Sequence, residues 1–277
     1  MLCECRVCCT PTADGTPSIK GQVIGGRWKI LHNFLRRASF ADVFVGCGIS
    51  TRAAEAGIKT ADNHTVAGAS PLCYLRNDTP DQFSGTVTVS LISFETGKVA
   101  FLTKIEASAS AVGNEGSVQL FCPDGKSLLG TNVPSTTECG TFATFLQSAG
   151  CDPTSCYLEA RVDSATPAAA GMLHGHNELL LAAPLQLSLP PIQLQVLTAA
   201  VVAVDGSVTV TVTADRVGVA VFVWLSTLAA GRFEPNGFMM AAKQTEVKFV
   251  PFGEAADVAT LKASTRVEHL GGHLAPE

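Results

Sequence analysis

The chain has 277 residues, of which 47 % are hydrophobic and 16 % are charged, and its formal net charge is −5. This length and apolar content allow one large domain or two medium ones. An acidic chain offers no basic face to neutralise phosphates, so nucleic-acid binding is not expected. The longest apolar stretches fall short of the roughly 20 residues that a spanning helix needs, so no membrane insertion is expected.

The N-terminal residues 1–25 are expected to be a disordered, cysteine-rich tail. Cys3, Cys5, Cys8 and Cys9 could bind a soft metal through their thiolates. No second cysteine or histidine pair follows at zinc-finger spacing, so we predict neither a metal nor a cofactor. The segment also lacks the apolar core of a secretory signal. The expected location is therefore inside the cell, cytoplasmic by default.

The segment Gly26–Phe40 is predicted to be one amphipathic helix. Trp28, Leu31, Leu35 and Ala38 recur at three- and four-residue spacing, which is typical of a helix with one apolar face. An isolated helix of this length is marginal in water, because tertiary packing normally supplies most of its stability. We therefore expect rapid amide exchange in this segment.

From Ala41 onwards, short apolar runs separated by turns predict an all-β fold. The proline-bounded segment Pro184–Pro191 is predicted to be a linker between two sandwiches, at 41–186 and 187–270, with a tail at 271–277. Strands are expected at Asp42–Cys47, Leu72–Asn77, Gly85–Phe94, Val99–Ala107, Ser117–Phe121, Thr141–Leu146, Cys156–Arg161, Glu178–Ala182, Ile192–Val204, Ser207–Thr213, Val217–Leu225, Phe238–Ala241, Thr245–Phe249 and Leu261–Val267. A two-residue hairpin is expected at Asp205-Gly206.

The run Val219–Leu225 is predicted to be a strand that is buried on both sides, with slow amide exchange. Its alternation predicts that Ala220, Phe222 and Trp224 share one face, whereas the three valines and Leu225 share the other. A corner at Gly231-Arg232-Phe233 is expected to follow.

Three stretches resemble the β-mannosidases of glycoside hydrolase family 2, and the resemblance extends from Gly26 to Leu270. They are FVWL at 222–225 with GRF at 231–233 and NGF at 236–238, GRWK at 26–29, and LCYLRND at 72–78 with FSGT at 83–86. The resemblance implies two consecutive immunoglobulin-like β-sandwiches, preceded by one amphipathic helix left over from a (β/α)8 barrel.

The resemblance also implies the function. The parent enzyme would hydrolyse terminal non-reducing β-D-mannose residues from oligosaccharides or glycoproteins, using two glutamates about 5 Å apart in a barrel of roughly 250 residues. Only 25 residues precede Gly26. We therefore expect no catalytic residue here and no activity of the chain alone. The expected partners are the barrel domain of the parent glycosidase and an oligosaccharide.

Two alternatives remain open at this stage. One is a free-standing carbohydrate- or protein-binding module, although Trp224, Tyr74 and Tyr157 fall in predicted strands and a sugar-stacking platform is poorly supported. The other is a complete enzyme that uses Glu115, because Asn114-Glu115 copies the pair that carries the acid/base residue in the family. A solvated turn is the preferred interpretation of that pair.

The remaining candidate residues have structural interpretations. His174 and His176 could join Cys151 or Cys156 in a zinc site, but an exposed histidine pair is preferred. Asn63 and Asn77 lie in glycosylation sequons, which matter only in a secretory compartment. Trp28 could adjoin the parent's active site, but a helix-core role is preferred.

The cysteines beyond the tail are interpreted in two groups. Three lie in strand-like runs and are expected to be small buried hydrophobes: Cys47, Cys73 and Cys122. Three others could include one disulfide, with all three pairings open: Cys139, Cys151 and Cys156.

Overall fold

A computed structural model describes residues 41–49, 71–110, 119–121, 128–129, 146–164, 175–253 and 255–274. These residues form two compact units that divide between Pro190 and Pro191. We call the described residues from Ala41 to Pro190 the N-terminal sandwich and those from Pro191 to Leu274 the C-terminal sandwich. The predicted tail at 1–25 and the predicted helix Gly26–Phe40 lie outside the described residues.

The N-terminal sandwich contains eight described strands. They are β1 (Val43–Ile49), β2 (Pro71–Asn77), β3 (Phe83–Ser93), β4 (Val99–Ala109), β5 (Gln119–Phe121), β6 (Leu128–Leu129), β7 (Cys156–Ser164) and β8 (His176–Leu180). One antiparallel sheet has the order β1-β2-β5-β6 and the other has the order β4-β3-β7-β8. These are the two layers expected of a sandwich.

The core of the N-terminal sandwich follows from strand alternation. Val87, Val89 and Leu91 of β3 are fully buried and belong to the same apolar cluster as Val45 of β1 and Leu75 of β2. Thr86 and Thr88, which alternate with Val87 and Val89, are only half-buried, because successive side chains of a strand point to opposite faces. Beyond Val89 the alternation ends, since Ser90 and Ile92 are buried as well.

The C-terminal sandwich contains seven strands and two short helices in its described part. They are β9 (Leu194–Val202), β10 (Val208–Ala214), β11 (Ala220–Ser226), β12 (Gly231–Glu234), β13 (Phe238–Met240), β14 (Gln244–Pro251), α1 (Val258–Ser264), β15 (Arg266–Glu268) and α2 (Leu270–Leu274). The sheets have the orders β12-β14-β10-β9 and β13-β11-β15. Helix α2 begins at the end of the predicted domain and continues into the segment predicted as a tail.

The prediction of a strand at Leu261–Val267 is wrong. The segment begins inside helix α1 and reaches β15 only at Arg266. Asp257 starts the helix, because its side chain accepts a hydrogen bond from the backbone N–H of Thr260 at 3.0 Å. That bond and a second one from the Thr260 hydroxyl lower the pKa of Asp257. Leu261 then buries its side chain from the helix rather than from a strand.

Two other local predictions differ from the structure. The expected corner at 231–233 belongs to strand β12, which pairs antiparallel with β14. Of the predicted strand Thr141–Leu146, only Leu146 is described, and it lies in a helical turn rather than a strand.

Strand β11 is only partly buried on both sides, because Phe222 and Trp224 are half-buried. Its faces also differ from those that strict alternation gives. Ala220 pairs with Met240 and Val223 with Phe238, so three steps along β11 match two along β13. The extra residue forms a β-bulge in which Phe222 has a φ of 53°. Ala220 consequently joins Val223 in the apolar core, and the predicted grouping of Ala220 with Phe222 is wrong.

Gly231 begins β12 at a point where the backbone admits no side chain. A β-carbon there would lie 2.6 Å from the carbonyl oxygen of Val250 and would overlap the ring of Phe249. We expect Gly231→Ala to reduce the stability of the C-terminal sandwich by about 1–3 kcal/mol, because the backbone must shift. Gly253→Ala is the matched control, since a β-carbon at Gly253 would meet nothing within 4 Å.

Hydrogen exchange of peptides from β10 and β14 measures this loss within one sandwich. Equal protection in the Gly231→Ala and Gly253→Ala variants would contradict the steric argument.

Candidate functional site

An open groove lies on the outer face of the four-stranded sheet of the C-terminal sandwich. Its volume is about 750 Å³. The strands that build it present polar side chains outward in alternation with core residues; for example, Thr209 is exposed between the buried Val208 and Val210. The lining residues are Ala203, Val204, Asp205, Ser207, Thr209, Glu234, Glu246, Val247 and Lys248.

The hairpin between β9 and β10 carries Asp205, one of the charged residues of the groove. The expected Asp205-Gly206 turn is present, and Gly206 has a φ of 77°. Asp205 accepts hydrogen bonds from the Lys248 ammonium at 2.5 Å and from the hydroxyl and backbone N–H of Ser207. The bond from Lys248 and those from Ser207 lower the pKa of Asp205. The carboxylate is therefore ionised over the whole physiological pH range.

A second ion pair borders the groove. Arg232 Nε donates to Glu234 Oε1 at 2.7 Å on the edge strand β12. Across the sheet, Glu234 is the register partner of Lys248, which in turn faces Thr209. Charged and hydroxyl groups thus form one row across three strands. Such a row can hold a polar partner by hydrogen bonds. Among the described residues that line the groove, none is aromatic, so none offers a face on which a sugar ring could stack.

Trp224 lies elsewhere on the C-terminal sandwich and does not point into its core, contrary to the prediction. Its indole N–H donates to Glu268 Oε2 at 2.9 Å, and its ring stacks on His273 with centroids 5.3 Å apart and planes 6° from parallel. One face of the indole is therefore covered by His273. The bulge at Phe222 explains the difference, because it shifts the alternation of the residues that follow it.

The zinc alternative considered at His176 is not supported. Cys151 and Cys156 are bonded to each other, so neither thiolate is available to a metal. His176 lies on β8, where its Nε2 is 3.1 Å from Glu178 Oε1. His174 lies outside the described residues. Within the described part of the chain, no group of three or more His, Cys, Asp or Glu side chains is placed to hold a metal ion.

Glu178 belongs to a network of compensated charges on β7 and β8. It is the register partner of Glu159, whose Oε1 is 3.1 Å from Arg161 Nε. The Arg161 cation offsets the repulsion between these like charges on opposed strands, and Glu178 also contacts the ring nitrogen of His176. Burial, followed by the charges of Glu159 and Glu178, raises the pKa of Tyr157. We interpret this network as structural.

The Asn77 sequon lies at a buried turn after β2. The Asn77 amide nitrogen donates to the carbonyl oxygens of Asp81 and Ser110 at 2.7 and 3.0 Å. Its oxygen accepts from the backbone N–H and the hydroxyl of Thr79 at 3.0 and 2.7 Å. The side chain is 3 % exposed, so the folded sandwich leaves no room for a glycan on it.

Several predicted candidates cannot be placed. Trp28, Asn63, Glu115, Cys122 and Cys139 lie outside the described residues. Among the described residues, no helix is long and apolar enough to cross a membrane.

His269 was not identified from the sequence, although it is the buried histidine of the C-terminal sandwich. It is 8 % exposed, and its Nε2 lies 3.0 Å from the carbonyl oxygen of Ile192, which joins the two ends of the domain. Its Nδ1 is buried and has no hydrogen-bond partner among the residues that the structure describes. Burial lowers the pKa of His269, the bond to Ile192 opposes this effect, and the nearby His273 adds to it. A single histidine between Glu268 and Leu270 carries no motif that could reveal this role.

The lowered pKa of His269 predicts acid sensitivity of the C-terminal sandwich. The unfolded imidazole titrates near 6.5 and the folded one at lower pH, so the unfolded chain binds more protons between these values. The contribution of neutral His269 to the free energy of unfolding is therefore fully present above pH 6.5. It falls as the pH decreases through that value, by at most about 1.4 kcal/mol per pH unit.

Urea unfolding between pH 7.5 and 5 measures this slope. His269→Gln can still donate a hydrogen bond to Ile192 but cannot take up a proton, so its slope should be flatter. An equal slope in both proteins would assign the acid sensitivity to other groups.

The C-terminal sandwich matches a known family model. Residues 189–272 match the model Ig_mannosidase, described as an Ig-fold domain. The matched range includes the strands that form the groove, strand β11 with Trp224, and His269 between β15 and α2. No curated protein matches the chain in sequence.

Solved structures show a similar fold. A β-D-mannosidase from Dictyoglomus thermophilum aligns with a TM-score of 0.55 and 14 % identity, covering 92 % of this chain and 24 % of that one. An exo-chitosanase from Amycolatopsis orientalis aligns with a TM-score of only 0.38 and 14 % identity over 73 % of this chain and 24 % of that one. The chain thus spans about a quarter of the length of these structures. Residues 189–272 are thus similar to the Ig-fold domain of the mannosidase type, and the chain resembles in fold the C-terminal region of a glycoside hydrolase family 2 β-mannosidase.

Proposed function

We propose that the chain is the non-catalytic C-terminal β-sandwich part of a β-mannosidase. Its parent enzyme would hydrolyse terminal non-reducing β-D-mannose residues from oligosaccharides or glycoproteins. The observation that carries this proposal is the match of residues 189–272 to the mannosidase Ig-fold domain. The role of the two sandwiches is to pack against the catalytic barrel and stabilise it, so the barrel domain of the parent is the proposed partner.

The chemistry of the described residues agrees with an accessory role. A retaining glycosidase needs two carboxyl groups about 5 Å apart on either side of the scissile bond. In the groove of the C-terminal sandwich, Asp205 is bonded to Lys248 and Glu234 to Arg232. On the N-terminal sandwich, Glu159 and Glu178 each have a basic neighbour. These carboxylates are held by partners within the sandwich, which suits a supporting domain better than acid/base catalysis.

The proposal is tested by activity and by complementation. The purified chain should not hydrolyse p-nitrophenyl β-D-mannoside above the blank rate. Added to a β-mannosidase barrel whose own C-terminal sandwiches have been removed, it should increase the yield of soluble, active enzyme.

For this assay, substitution of the buried Phe249 is the disruptive variant, and substitution of the exposed Phe252 is its matched control. Phe249→Ala should abolish the rescue by unfolding the C-terminal sandwich, whereas Phe252→Ala should retain it. Turnover by the chain alone that disappears in Glu115→Gln would instead establish a complete enzyme.

The groove supports a second candidate function, a free-standing carbohydrate- or protein-binding module. Its row of Glu234, Lys248 and Thr209 could hydrogen-bond the hydroxyls of an oligosaccharide. A glycan array distinguishes the two functions. Binding that is lost in Lys248→Gln but kept in Lys262→Gln, a change on helix α1 outside the groove lining, would favour the module. Absence of binding would leave the accessory role.

A further inference from the structure

Two pairs of cysteines lie at bonding distance in the N-terminal sandwich. Cys47 of β1 and Cys73 of β2 are direct register partners, and their Cα atoms are 4.0 Å apart. They are 7 % and 0 % exposed and belong to the apolar core. Their burial was predicted from the sequence, whereas their bond was not. The bond joins two strands of one sheet across a separation of 26 residues.

The second pair closes a turn at the start of β7. Cys151 is bonded to Cys156, which is 2 % exposed and begins the strand. The turn is also held by Asp152, whose carbonyl oxygen accepts from the backbone N–H groups of Ser155 and Cys156 at 3.0 and 3.2 Å. Each of the two sheets of the N-terminal sandwich is therefore stabilised by a disulfide of its own.

We propose that both disulfides are structural and that this chain matures in an oxidising compartment, which replaces the cytoplasmic location expected from the sequence. Cytosolic thiols are kept reduced, whereas disulfides persist in secreted, periplasmic and lumenal proteins. Each bond forms when two thiols lose two protons and two electrons. A disulfide oxidant, such as oxidised glutathione, accepts them and becomes two thiols. This inference does not depend on the proposed function.

The distribution of cysteines supplies an internal control. The sequence from Pro191 to Glu277 contains no cysteine, so a reductant has no target in the C-terminal sandwich. Reduction also leaves both sulfur atoms of each pair in place. The effect of losing a bond can therefore be separated from the effect of losing packed volume.

The first experiment identifies the bonds in the chain isolated from its own cells. Thiols are blocked with N-ethylmaleimide before lysis, and non-reduced peptides are analysed by mass spectrometry. We expect peptides that link Cys47 to Cys73 and Cys151 to Cys156. Finding these four cysteines blocked would overturn the proposal, and so would bonds that appear only when blocking follows lysis.

The second experiment measures what the bonds contribute. In the oxidised chain, dithiothreitol should lower the unfolding midpoint of the N-terminal sandwich by about 5–10 °C and leave that of the C-terminal sandwich unchanged. The variant with all four cysteines changed to alanine should show no response to dithiothreitol. An unchanged midpoint in the oxidised wild type, or an equal response in both sandwiches, would show that the bonds do not hold this fold.

Discussion

Phe249→Ala is expected to destabilise the C-terminal sandwich by about 3–5 kcal/mol, because it removes a large buried ring and leaves a cavity. Phe249 is 0 % exposed and lies on β14, between its register partners Val208 of β10 and Phe233 of β12. Its ring meets that of Phe233 edge-on, with centroids 5.2 Å apart and an interplanar angle of 61°. The alanine variant loses both the apolar burial and this aromatic pair.

Phe252→Ala is the matched control, because Phe252 lies three residues further along the chain and is 47 % exposed. This variant is expected to lose less than about 1 kcal/mol of the free energy of unfolding. Urea unfolding, followed by hydrogen exchange of peptides from β10 and β11, measures both variants. Similar losses in the two would show that Phe249 is not the centre of this core.

Asn77→Asp is expected to destabilise the N-terminal sandwich by about 3–5 kcal/mol at pH 7, because it introduces a buried charge without a partner. The amide nitrogen of Asn77 donates to the carbonyl oxygens of Asp81, Ala109 and Ser110, at 2.7, 3.3 and 3.0 Å. A carboxylate would turn an oxygen toward these three acceptors instead. It would also leave the carbonyl groups without their donor.

Asp78→Asn is the control for this variant. Asp78 is the next residue and pairs with Arg76 at 2.7 Å, but both side chains are substantially exposed. Exposed ion pairs contribute little to stability, so Asp78→Asn is expected to lower the free energy of unfolding by less than about 1 kcal/mol. Thermal unfolding and exchange of peptides from β3 and β4 separate the two variants. A loss in Asn77→Asp as small as that in Asp78→Asn would show that the turn tolerates a charge.

The sandwich cores follow from short-range patterns that sequence reasoning can use. The sequence predicts a strand at Gly85–Phe94, and in the first part of β3 buried and more exposed residues alternate, since the period of a strand is two. Asp205-Gly206 is a hairpin turn in the structure, because glycine adopts positive φ without steric cost. In the apolar run 219–225, five of the seven residues are buried as predicted, and Phe222 and Trp224 are half-buried.

The site residues depended on contacts between distant parts of the chain. The Asp205–Lys248 pair joins residues 43 positions apart, and the bond of His269 to Ile192 spans 77. Neither pairing has a local motif. The bulge at Phe222 also depends on β13, because an extra residue is defined only against the strand that it faces.

By itself, the sequence determined the all-β class of the chain and the burial of Cys47 and Cys73. These features depend on hydrophobic periodicity and composition, which act over a few residues at a time. The tertiary structure alone decided that these cysteines are bonded, that Trp224 stacks on His273, and that Asn77 is a structural residue rather than a glycan acceptor. Bonds and burial of this kind require register between strands, and register results from the packing of the whole sandwich.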